Sequence, residues 1–104
     1  MPVFVLEPPR AYTHAYAGPV IEHVLPLGAA RAACAQKGVH ADACSWIAGG
    51  RCFIVIPRGG PVKDLSAYRR HELAHCNGWT HGHGAGAHVE RQLTTPADGA
   101  EGQR

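Results

Sequence analysis

The residues best equipped for chemistry lie together at 71–81, which reads His71-Glu72-Leu73-Ala74-His75-Cys76-Asn77-Gly78-Trp79-Thr80-His81. His71 and His75 are four positions apart. On a helix that spacing stacks both imidazoles on one face, where both reach a single Zn2+ ion at about 2.0–2.1 Å. Glu72 lies one step around the helix, near the metal but not a ligand. From there a carboxylate takes a proton from water activated by the ion. Gly78 lets the chain turn, and His81 folds back as the third ligand. Three protein ligands leave a fourth position open for water, the arrangement of a catalytic zinc site and not of a closed structural one. The competing reading is a helix whose histidines are merely polar groups at the surface or in the core. The predicted helix, its N-cap and the placing of Gly78 and His81 weigh against it.

Other residues compete for parts of this site. His83 and His88 follow on a Gly- and Ala-rich stretch and are alternatives to His81 as third ligand. Glu90 is a further alternative, as a carboxylate ligand downstream of the two helical histidines. Tyr68 sits one turn before His71, where it faces the cleft or, more commonly, packs in the core. Tyr12 and Tyr16 offer phenols that would suit an oxyanion, although no spacing ties them to the site. Trp79 reads as a core plug below the turn.

The extended pattern H-E-x-x-H-x-x-G-x-x-H resembles the zinc signature of the metzincin clan of metallopeptidases. By that resemblance His71, His75 and His81 are zinc ligands and Glu72 is the general base. It implies an α+β fold, a minimal zincin-like domain in which a short sheet, one backing helix and the zinc-binding helix make up the whole. It also implies hydrolysis of peptide bonds in an extended substrate laid along an edge strand. The one methionine is Met1, so the Met-containing turn of that clan has no counterpart here. Two other classes remain beside the enzyme: a non-catalytic domain stabilised by zinc, and a partner-binding module on the same scaffold. A purely structural site has no use for a base at Glu72, which favours the enzyme.

The elements that must hold these residues are visible in the pattern. Asp64 is a good N-cap for a helix over about Leu65 to Asn77, with Gly78 as its stop. At about 100° per residue, Tyr68, His71 and His75 fall opposite Ser66, Arg69, Arg70 and Asn77, while Leu73 breaks the polar side. Upstream, Cys44 to Ala48 and Arg51 to Ile56 read as two strands joined at Gly49-Gly50, a hairpin signal because both glycines accept positive φ. The run Cys52 to Ile56 is nearly all apolar, as in a strand buried on both faces, and Pro57 is expected to end it. Leu27 to Gln36 is Ala-rich and reads as a short helix stopped by Gly38. Val20 to Leu25 and Val3 to Leu6 are weaker strand candidates, with a loop over Arg10 to Pro19. His88 to Leu93 reads as a helical turn. The single domain spans 1–94, and 95–104 reads as a disordered tail.

Composition narrows the partners. The chain has 104 residues, suited to one domain, and a net charge of only +2, too little for a module that binds nucleic acid through charge. It has no apolar run long enough to span a membrane. The expected partner is therefore a peptide or protein substrate, with no nucleic acid and no membrane. The apolar N-terminal run is too short for a secretory signal, so the cytoplasm is the default compartment. None of the four cysteines stands in a C-x-x-C pair, which argues against a zinc ribbon or a thioredoxin-like centre. One disulfide is expected among Cys34, Cys44 and Cys52, with Cys76 a small buried hydrophobe. His40, near those cysteines, is a weak candidate for a second metal site. His14 and His23 have no assigned role.

Overall fold

The Gly49-Gly50 pair, at φ +60° and +76°, makes the tight hairpin expected of it. Around that hairpin a computed structural model describes residues 5–81 as an α+β fold of three strands and two helices. In chain order these are β1 (Val20–Pro26), α1 (Leu27–Gln36), β2 (Cys44–Ala48), β3 (Arg51–Arg58) and α2 (Leu65–Cys76), after a 3-10 turn at Arg10–Tyr12. The expected helical turn at His88 to Leu93, the tail 95–104, and the candidate ligands His83, His88 and Glu90 lie outside the described residues. Among the described residues no helix is long and apolar enough to cross a membrane.

The strand order is β1-β3-β2. β3 is therefore central, as its unbroken apolar run required. β2 pairs with it antiparallel, from Cys44 opposite Val55 to Ala48 opposite Arg51. β1 pairs with it in parallel, from Val20 opposite Cys52 to Pro26 opposite Arg58. Strand alternation then sorts the side chains. Cys52, Ile54 and Ile56 form a core with Tyr68 and Cys76 of α2. Val55 points the other way, into a core with Ala30 and Cys34 of α1. One helix thus covers each face of the sheet.

Three expectations need correction. Pro57 does not end β3, which runs on to Arg58. The reason is that β2 stops at Cys44, opposite Val55. Beyond that point β3 has a neighbour on one side only, so a missing N–H costs no bond to β2. Val5 and Leu6 form no strand; Val5 packs on the core between β3 and α2, the Leu6 carbonyl meets His71 of α2, and the rest of that predicted strand is outside the described residues. Cys76 is not an isolated hydrophobe. It is bonded to Cys52, with Cα atoms 6.0 Å apart, because alternation along β3 turns Cys52 toward the end of α2. The Cys34–Cys44 bond is the one expected among the first three cysteines. With both sulfurs bonded, these two cysteines are unavailable to a second metal site with His40.

A bidentate pair fixes α2 across the sheet: Arg69 donates to both carboxylate oxygens of Glu22 in β1, at 2.6 and 2.7 Å. The Arg69 hydrogen bond and its charge hold the Glu22 carboxyl below its ordinary value, against the opposing effect of burial. A lowered acid stabilises the fold above its unfolded pKa and loses that contribution as pH falls through the folded one. Both side chains remain partly exposed, so Glu22→Gln is expected to cost no more than about 1 kcal/mol at pH 7. In thermal melts the gap between variant and wild type should close as pH drops below the usual carboxylate range. A gap unchanged in acid would rule the pair out as its source.

Candidate metal centre

α2 starts where Asp64 caps it, its carboxylate accepting from the Ser66 amide at 3.0 Å. It ends in a tight reversal. Gly78, at φ +105°, donates its N–H to the His75 carbonyl, and Trp79 donates to the Ala74 carbonyl. This is the six-to-one, five-to-two bonding of a Schellman turn, which favours glycine at that position. The reversal brings the chain back along the helix. The Trp79 ring stacks on His75 at 5.0 Å and 12°, and meets His71 edge-on at 5.0 Å. Trp79 is buried, the plug that the sequence suggested, and it carries His81 back to the two helical histidines.

The hydrogen bonds decide the histidine tautomers. His71 Nδ1 lies 2.7 Å from the Leu6 carbonyl, and His75 Nδ1 lies 2.7 Å from the Trp79 carbonyl. A carbonyl has no proton to give, so in both rings Nδ1 carries the hydrogen. In the neutral ring the lone pair is then on Nε2. Those Nε2 atoms converge: His75 to His71 at 3.2 Å, and His81 to His75 at 3.1 Å. Ligands at about 2.0–2.1 Å from a tetrahedral ion stand about 3.3–3.4 Å apart, so these two spacings are close to what one cation requires. Among the described residues, His71, His75 and His81 form a group able to hold a metal ion, their ligand atoms all within 4.8 Å of one another. An Nδ1–H donated to a carbonyl is also the usual outer support of a metal-binding histidine.

Glu72 is not in that group. It is fully buried, and its Oε1 accepts a hydrogen bond from Ser45 Oγ of β2 at 3.0 Å. The other candidates take structural positions. Tyr68 is buried in the core under α2. The Tyr16 hydroxyl donates to the Gly50 carbonyl at the hairpin, 3.0 Å away. Tyr12 and His14 offer their carbonyls to Asn77 Nδ2, at 3.0 and 2.6 Å, which fastens the loop to the end of α2.

Sequence reasoning missed three groups that orient the site: the carbonyls of Leu6 and Trp79, and the Ser45 hydroxyl. Backbone carbonyls leave no mark in residue type. Ser45 did leave one, as a polar residue on a strand whose inner face is otherwise apolar. Comparison with known proteins adds nothing to this geometry: no family model, curated protein or solved structure matches the chain.

Proposed function

We propose that this protein is a zinc-dependent metallopeptidase, with His71, His75 and His81 holding the ion and Glu72 as general base. The observation that carries the reading is the convergence of three imidazoles, two of them from α2, the helix that also carries the buried Glu72 carboxylate. An all-nitrogen set of three suits zinc and leaves a coordination position open. Bound there, zinc would polarise a peptide carbonyl and make water acidic enough to lose a proton near neutral pH. Glu72 would receive that proton on its carboxylate and pass it to the departing amine. The Ser45 contact sets the outer strand β2 beside Glu72, so an extended peptide paired to β2 would run past the base. Two disulfides support work in an oxidising compartment rather than the reducing cytosol.

One observation favours a second reading, a domain that zinc stabilises without turnover: Glu72 has no solvent exposure. A single experiment separates the two. Apoprotein titrated with zinc should bind one equivalent, His75→Ala should not, and casein cleavage should vanish with chelator and return with zinc. Zinc uptake with no cleavage of casein or of a broad peptide library leaves the structural reading standing. Failure to bind zinc at all removes both.

A further inference from the structure

Resting on the peptidase reading above, the geometry points to Ser45 as the residue that positions the general base, holding the Glu72 carboxylate in the rotation it needs to take a proton. Alternation along β2 is the first ground. Cys44 and Trp46 face α1, in the core built on Ala30 and Cys34. Ser45 therefore faces α2, and its partner across the sheet is Ile54, in the apolar core under that helix. A side chain of that face is expected to be apolar, yet position 45 is a hydroxyl with 7% exposure. A buried hydroxyl is costly unless it is hydrogen-bonded.

The bond it makes is the second ground. Ser45 Oγ donates to Glu72 Oε1 at 3.0 Å, between two elements that are 27 residues apart in the chain. Glu72 hangs from a helix already anchored at both ends, so its backbone has little freedom. What remains is rotation of the side chain, and a donor on one carboxylate oxygen fixes it. A base misplaced by about 1 Å can lose on the order of a hundredfold in rate. Ser45 is hydrogen-bonded to Glu72 and to none of the three histidines, so it acts through Glu72.

The test uses the whole 104-residue chain, loaded with zinc. Ser45→Ala is expected to lower kcat for a peptide substrate on the order of tenfold to a hundredfold, with KM, zinc affinity and zinc stoichiometry as in wild type. Ser45→Thr, which keeps the hydroxyl on a strand, should recover most of that loss. A second measurement needs no turnover: in melts of the apoprotein, Ser45→Ala should cost stability in wild type and distinctly less in a Glu72→Ala background, where the partner is gone. A wild-type kcat in Ser45→Ala overturns this role and leaves the peptidase reading intact, as does an equal stability cost in both backgrounds. An inactive wild type overturns the peptidase reading and this role with it.

Discussion

On the proposed peptidase reading, Glu72→Gln is expected to remove about 10²- to 10⁴-fold of the peptide-hydrolysis rate while the protein still folds and still binds zinc. The amide is nearly the same size as the carboxylate, and its oxygen still accepts from Ser45 Oγ, so the contact to β2 survives. What is lost is basicity, since an amide takes no proton from water near neutral pH. The three imidazoles are untouched, and so are the carbonyls of Leu6 and Trp79 that orient two of them. Stability should hold or rise, because a fully buried carboxylate is expensive to desolvate and a buried amide less so. Groups kept for function at a cost in stability show this opposition of rate and melting temperature. The measurements are kcat on a fluorogenic peptide, zinc content of the purified variant, and a thermal melt. A variant that keeps its activity would strip Glu72 of the role; one that loses zinc along with activity would show that the carboxylate serves the fold or the metal instead.

The second large effect concerns the Cys52–Cys76 bond. It closes a separation of 24 residues, for which the loss of unfolded-state entropy is worth about 3 kcal/mol. In a domain of this size that corresponds to a melting temperature lower by roughly 10–20 °C. Cys52→Ala/Cys76→Ala is expected to show that drop, and to bind zinc more weakly than wild type. Cys76 follows His75 directly, so the bond to β3 holds the last turn of α2, from which the chain reverses to bring His81 back. The Cys34–Cys44 bond closes only 10 residues and joins α1 to β2 on the other face. Its removal should lower stability somewhat less and leave zinc affinity unchanged. Calorimetric zinc titration of the two double variants decides the point. Equal affinities in both would show that the bond near the site acts on global stability alone.

Much of this could be read from residue order because it depends on neighbours in the chain. The limits of α1, β2 and α2 follow from Pro, Gly and Asp positions that act over three or four residues, and the three histidines converge because one helix and one glycine turn place them. What could not be read depends on contacts between distant segments. The parallel pairing of β1 with β3 is one such contact, and it carries the Glu22–Arg69 pair. Cys76 looked like a small apolar residue until the sheet set Cys52 beneath it. Pro57 looked like a strand end because nothing local reveals that β2 has already left the ladder there. Leu6 looked like part of a strand because a short apolar run carries no sign of its partner.

The Leu6 contact has a consequence for the order in which the molecule assembles. Two of the histidines belong to one helix, and the third follows within six residues, so they can meet early. The carbonyl that holds His71 in its tautomer comes from 65 residues away. Closing so long a loop is entropically slow compared with forming a helix. A refolding chain is therefore expected to bring its three nitrogens near one another before the outer support of His71 is in place. The affinity the site attains is then expected to depend on the docking of the N-terminal segment, which holds His71 from outside like a latch.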